Sequence, residues 1–321
     1  MTQAKPETEA MVIVAGPTAS GRSALALAIA EAHGGEIVNA DSMQVYRELR
    51  VLTARPGADE EARVRHHLYG VMSVAEACSA GTWLRMAADA IADIRARGRL
   101  AVVCGGTGLY LKVLTEGIAE VPDVPADVVA EGKRLFAAEG GEAFRERLAA
   151  LDAPAAARLA AGDGQRLIRA WAVVRSTGRT LAQWQDGKAA PAVPGRRLAI
   201  QLAPPRDALY ARIEARLDAM LAAGALDEVA ALGSLNLVPD LPALKALGVP
   251  DFRRHLAGGC ALTEALAQAK QGTRNFAKRQ LTWFRHQMVP DRVFEVFGED
   301  AVTVGVAAVR EFLTTPTGEA C

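Results

Sequence analysis

The segment Gly16-Pro17-Thr18-Ala19-Ser20-Gly21-Arg22-Ser23 constrains this chain more than any other. It fits the phosphate-loop pattern G-x-x-x-x-G-K-[ST], with Arg22 in the lysine position. Apolar Met11-Val12-Ile13-Val14-Ala15 precedes it and reads as a buried strand. An alanine- and leucine-rich run over 23–32 follows and reads as a helix. Strand, glycine loop and helix in that order gather backbone N–H groups into a concave nest at a helix N-terminus. The helix dipole adds to the pull of that nest on a di- or triphosphate. Ser23 is placed to hold Mg2+ through its hydroxyl. Arg22 still carries the positive charge, on a planar fork that is larger than an ammonium and places charge differently.

The same alternation continues downstream. Glu36-Ile37-Val38-Asn39 reads as a second strand ending at Ala40-Asp41-Ser42, and 82–97 as an amphipathic helix. Leu100-Ala101-Val102-Val103-Cys104 reads as a third strand, apolar throughout as a parallel strand covered on both faces should be. It runs into Gly105-Gly106-Thr107-Gly108 and a helix from Leu109. This predicts an α/β fold: a P-loop NTPase-like parallel sheet flanked by helices, with ligands at the carboxyl ends of the strands. Loops 16–23, 41–44 and 105–108 all follow strands, so they converge on one edge of the sheet.

Val121-Pro122-Asp123-Val124-Pro125 interrupts the alternation. From there to Lys188 the pattern is only helical, with Glu139-Gly140-Gly141-Glu142 as a turn and Pro191, Pro194 and Gly195 closing the segment. Leu198-Ala199-Ile200-Gln201-Leu202 resumes a strand. A long helix follows Arg206, Gly224 breaks it, and another long helix spans 261–286. The expected organisation is a flexible tail over 1–10, a core over 11–120 and 197–314, a small helical insertion over 121–196, and a tail over 315–321. A length of 321 residues suits two lobes. Formal net charge is zero, which disfavours a protein that coats nucleic acid indiscriminately but allows a local basic face. Cys78, Cys104, Cys260 and Cys321 form no C-x-x-C pair and read as reduced thiols of a cytosolic protein. No apolar run approaches membrane-spanning length.

The D-x-x-G and N-K-x-D motifs of GTPases are absent, as is the serine-glycine-glycine signature of ABC-type ATPases. The third strand ends in glycines and supplies no Walker B carboxylate. A phosphate-binding kinase or transferase remains. Asp41 is the one carboxylate just past a strand end near the loop. It is a candidate general base, and equally a cap for a following helix. The segment 270–285 holds five basic residues and no acid. Lys270, Arg274, Lys278 and Arg285 share a helical face there with Trp283 and Phe284 beside them, which suits an RNA backbone with a base to stack. The pair His66-His67 has no third or fourth metal ligand at useful spacing and reads as loop packing.

Taken together these segments resemble the bacterial tRNA dimethylallyltransferases (tRNA isopentenyltransferases), from about Val12 to Met288. The matching segments are the phosphate loop, Asn39 to Tyr46, His66-His67-Leu68, Gly105 to Tyr110, Gln165-Arg166-Leu167-Ile168-Arg169-Ala170, Gly224 to Val229, and the long run Thr273 to Arg285. The resemblance implies transfer of a dimethylallyl group from dimethylallyl diphosphate to N6 of the adenosine 3′-adjacent to the anticodon. The tRNAs concerned read codons that begin with U. The loop, with Arg212 and Arg216, would then bind the donor's diphosphate, with Mg2+ on Ser23. Asp41, Thr107 and Arg22 would be the catalytic group. The tRNA anticodon stem-loop would be held by Asp41, Ser42, Met43, Gln44 and Thr107, by Gln165, Arg166, Leu167, Ile168 and Arg169, and by Lys245, Arg274, Lys278, Arg279 and Arg285. Such an enzyme is expected as a cytoplasmic monomer with no membrane association.

Three departures stand out. Arg22 and Ser23 replace the family's usual lysine and threonine, and Arg22→Lys, which restores the compact ammonium usual at that position, is expected to preserve or raise activity. Val249-Pro250 stands where the family has an aromatic contact to tRNA. The segment 69–71 lacks an acid often found there. Two other readings fit the same loop: a P-loop small-molecule kinase or adenylate isopentenyltransferase, and a non-catalytic tRNA-binding protein.

Overall fold

The computed structural model describes residues 9–186 and 192–315. The chain divides into two compact units, Glu116–Pro191 and the remainder. The larger unit opens with β1 (Met11–Ala15), α1 (Arg22–His33) and β2 (Gly35–Asn39). It continues through α2 (Ala58–Arg63), β3 (His66–His67), α3 (Ala80–Ala96), β4 (Leu100–Gly105) and α4 (Gly108–Glu116). The smaller unit holds α5 (Ala126–Ala149), α6 (Ala153–Arg158), α7 (Gly164–Thr177) and α8 (Leu181–Gln185). The chain then returns through β5 (Arg197–Leu202), α9 (Arg206–Ala222), α10 (Ala225–Gly233), a 3-10 turn (Pro242–Lys245) and α11 (Val249–Leu256). It finishes with α12 (Leu262–Gln287), β6 (Arg292–Phe294) and α13 (Gly298–Thr314).

All strands are parallel, in the order β3-β2-β4-β1-β5-β6. Ala15 lies opposite both Gly105 and Gln201, and Asn39 opposite Cys104. The strand ends are therefore level, and the loops after β1, β2 and β4 leave from one edge. Alternation along β1 divides its side chains between two cores. Met11, Ile13 and Ala15 join Trp83, Ile91, Tyr110, Phe252 and Phe284 on one face, while Val12 and Val14 join Leu25, Ile29 and Val309 on the other. Full burial of a side chain such as Leu25 or Ile29 stabilises the fold by about 2 kcal/mol.

The predicted strands are present with bounds shifted by at most a residue. β3, β6 and α13 are additions. A two- or three-residue strand shows no periodicity, so β3 and β6 leave no trace in the sequence pattern. His66 and His67 are accordingly not loop packing but an edge strand, paired with Ile37 and Val38. The helical unit starts and ends five residues before the expected 121–196. Its core is Phe144, Leu148, Leu167 and Trp171. The turn expected over 139–142 is a break inside α5, where Gly140 takes φ 81 and ψ 167. The expected tails fall almost wholly outside the described residues, as do Lys188, Pro191 and Cys321.

Candidate active site

The phosphate loop fills the gap between β1 and α1. Gly21 caps the helix at φ 89, a conformation only glycine adopts without a steric cost, and Ala19 accepts φ 65 at a cost of roughly 1 kcal/mol. The first turn of α1 carries no acid, so its positive dipole end meets the loop uncompensated. Ser20 is buried and its hydroxyl has no partner among the described residues.

Three guanidinium groups gather here. Arg22, only 9% exposed, donates from Nη1 to Gly16 O at 2.8 Å and from Nη2 to Asp41 Oδ2 at 2.7 Å. From α9, Arg216 donates to Thr18 Oγ1 and Arg212 donates from Nε to Ala19 O at 3.2 Å. Burial, and then the neighbouring charges of Arg22 and Arg212, push Arg216 down to about 10, against the pull of Asp41. Its Nε is buried without a partner among the described residues. Three cations facing one carboxylate leave an excess of positive charge that a polyanion would relieve.

A carboxylate wall stands opposite. Asn39 is fully buried; its amide donates to Asp41 O and Leu68 O, and its Oδ1 accepts the Asp41 N–H at 2.8 Å. Asp41 Oδ1 accepts the Met43 N–H at 3.1 Å. No helix begins here, so Asp41 closes a turn rather than capping a helix. Thr107 Oγ1 accepts the Ser42 N–H at 2.9 Å and lies 3.2 Å from Ser42 Oγ, while the Thr107 N–H donates to Ala40 O. Gln44 is buried, and its amide holds Thr53 O and Ala54 O. That amide fastens the neighbouring loop. A Cβ on Gly106 would come within 2.4 Å of the Arg22 guanidinium and the Gln280 amide, so a larger residue there would displace both side chains.

Gln280 is the residue that sequence reasoning missed. It lies on α12, buried, with Oε1 accepting the Thr18 N–H at 2.9 Å and Nε2 donating to Gly106 O at 2.8 Å. The signal was there: Thr273, Ala277, Gln280 and Phe284 fall at helical spacing on the buried stripe of α12, and a long amide on such a stripe needs polar partners.

The basic stripe of α12 requires correction. It is not free of acids, because α9 supplies them: Lys270 pairs with Asp218 at 2.6 Å and Arg274 with Glu214. Lys278, Arg279 and Arg285 are exposed. Phe284 is core, and Trp283 is half-buried with its ring against Gly108. In the smaller unit Gln165, Arg166 and Arg169 are exposed on α7. Leu167 is fully buried and Ile168 packs against Gly132, so the side chain of Leu167 offers RNA no surface. Lys245 is exposed, and Val249 is core.

His67 Nε2 lies 2.6 Å from Glu36 Oε2, and Arg97 binds the same carboxylate. Against burial, hydrogen bonds from Arg97 and His67 hold the Glu36 carboxyl below its usual range. Described residues hold no group of three or more His, Cys, Asp or Glu able to bind a metal. A Mg2+ ion carried on a diphosphate asks for only one or two protein oxygens. Ser23 lies in the first turn of α1, where its side chain hydrogen-bonds the buried Cys104 thiol, and it is the hydroxyl that such an ion would have to recruit.

Residues 44–287 match the family described as IPP transferase, and residues 9–77 match isopentenyl transferase. A tRNA dimethylallyltransferase of Phenylobacterium zucineum is 57% identical over 276 residues, 86% of this chain and 89% of that one. One from Rhodospirillum rubrum is 52% identical over 291 residues, covering 90% and 89%. The crystal structure of a tRNA isopentenylpyrophosphate transferase from Bacillus halodurans superposes with TM-score 0.69 at 30% identity, over 95% of this chain and 97% of that one. A eukaryotic dimethylallyltransferase, whose structures are described as acting on tRNA, shares the fold with TM-score 0.82 at 22% identity, over 97% and 81%.

Proposed function

We propose, for a chain that belongs to the IPP transferase family, that it transfers a dimethylallyl group from dimethylallyl diphosphate to tRNA. The acceptor is the exocyclic N6 of the adenosine just 3′ of the anticodon, in tRNAs reading codons that begin with U. One observation carries this reading: the 2.7 Å contact of Arg22 with Asp41 sets a carboxylate directly beside a phosphate loop.

The reaction breaks the bond between the prenyl C1 and the diphosphate oxygen, and the electron pair leaves with diphosphate. N6 bonds to C1 and its proton passes to Asp41. The loop N–H groups, Arg212 and Arg216 meet the charge that develops on the leaving group. Held by Ser23 and the donor's own oxygens, Mg2+ would add positive charge at the same place. Thr107, bonded to Ser42, shapes the place where N6 reacts. The base reaches that place only if extruded from the anticodon loop. Exposed Lys245, Lys278, Arg279 and Arg285 supply cations for the RNA backbone, as do Arg166 and Arg169 on the smaller unit. We place the reaction in the cytoplasm, where its acceptor resides.

The test incubates the protein with dimethylallyl diphosphate, Mg2+ and either unmodified tRNA or AMP, followed by mass spectrometry of the nucleosides. Prenylated adenosine from tRNA is expected. Prenylation of AMP alone would move the protein to the adenylate-directed transferases.

A further inference from the structure

We infer that Arg22 is the positioning residue of the base: its guanidinium ties Asp41 to the phosphate loop and holds the carboxylate in register with the leaving group. This rests on the prenyl-transfer reading, in which Asp41 accepts the N6 proton.

The two Arg22 contacts run to different elements. Nη1 binds Gly16 O at the start of the loop, and Nη2 binds Asp41 Oδ2 beyond β2. The other Asp41 oxygen is fixed by the Met43 N–H, and its backbone by Asn39. Among these contacts, Arg22 is the link from the carboxylate to the loop that takes the diphosphate. A lysine would end in one compact ammonium that stops short of where the guanidinium Nη atoms lie, without two nitrogens fixed in a plane. The site has room for the fork because Gly106 has no Cβ to overlap it. The charge for the diphosphate does not depend on Arg22 alone, since Arg216 and Arg212 already contact Thr18 and Ala19. The expectation from a restored ammonium is therefore reversed: Arg22→Lys should impair the enzyme, and through turnover rather than donor binding.

The experiment compares wild type, Arg22→Lys, Arg22→Ala and Arg22→Ala/Asp41→Asn with dimethylallyl diphosphate and tRNA, alongside pyrophosphate binding. Arg22→Lys should keep the donor KM and pyrophosphate affinity within about threefold while turnover falls about 30- to 100-fold, the scale of a misaligned base. Free guanidinium should restore part of the turnover of Arg22→Ala, methylammonium should not, and neither should stimulate the double variant. Pyrophosphate binding by Arg22→Lys shows that the variant is folded, whatever becomes of the alanine variant. Turnover of Arg22→Lys at or above wild type would overturn the inference alone, as would a loss confined to donor KM. A wild-type protein that prenylates no RNA would overturn the transfer reading and this inference with it.

Discussion

Gln280 of α12 and Thr18 of the phosphate loop are joined by a 2.9 Å hydrogen bond, from the Thr18 N–H to Gln280 Oε1. The other end of the same amide holds Gly106 O on the loop after β4. The helix whose outer face exposes Lys278, Arg279 and Arg285 thus sets the shape of the phosphate site from its inner face.

Replacing Gln280 by leucine should therefore damage donor binding more than RNA binding. It strands the Thr18 N–H and Gly106 O, and each buried polar group left unpaired costs about 1–3 kcal/mol. We expect the donor KM to rise at least about tenfold, with a lower melting temperature and tRNA affinity within about twofold of wild type. Steady-state kinetics and tRNA binding on the same preparation check this, and an unchanged donor KM would refute it.

Asp41→Asn should lower turnover by about 100-fold or more, as expected for a lost general base. It also removes the anionic partner of Arg22, so pyrophosphate should bind as tightly as to wild type or more tightly. Calorimetric titration with pyrophosphate separates the two effects. Near-normal turnover would remove Asp41 from the chemistry.

The α9–α12 ion pairs divide the basic helix into two halves with different roles. Lys278→Ala/Arg279→Ala should weaken tRNA binding and make its salt dependence shallower, by roughly one counterion per lost phosphate contact. Lys270→Ala/Arg274→Ala, which breaks the pairs with Asp218 and Glu214, should act mainly on thermal stability. The check is tRNA affinity across a salt series together with melting curves. An equal loss of RNA affinity in both double variants would erase the distinction.

Arg216→Gln should stabilise the unliganded protein and weaken pyrophosphate binding by about 10- to 100-fold. Burial brings the Arg216 pKa down to about 10, below the ordinary arginine range. The cost of keeping this group charged is therefore present in full at pH 7, and is relieved only as pH rises through 10. A melting temperature for the variant a few degrees above wild type at pH 7, a gap that narrows above pH 10, is the expected result. A variant that melts lower and binds pyrophosphate normally would contradict it.

Much of the site was legible because its parts are contiguous in the chain. The phosphate loop is the single run Gly16 to Ser23, so one short segment suffices to specify it. Asp41 and Thr107 were legible because parallel strands end on one edge, and the residues just past them must share it. The failures have a common cause. Glu214 and Asp218 lie on another helix, so a stripe that is purely basic along α12 is half neutralised in the fold. Leu167 sits within a matching segment, yet the three-dimensional core claims its side chain.

The sequence by itself thus determined the strand–loop–helix unit, the parallel sheet and the helical insertion, while the reaction was implied by its resemblance to a known family. Each of these follows from local periodicity or from an ordered set of short motifs. Only the tertiary structure decided which partner each charged group takes. Arg22 meets Asp41 19 residues away, Arg274 meets Glu214 60 residues away, and Gln280 meets Thr18 262 residues away. Contacts of that span depend on sheet order and helix packing, which bring specific side chains within hydrogen-bond reach, and no pattern along the chain encodes those distances.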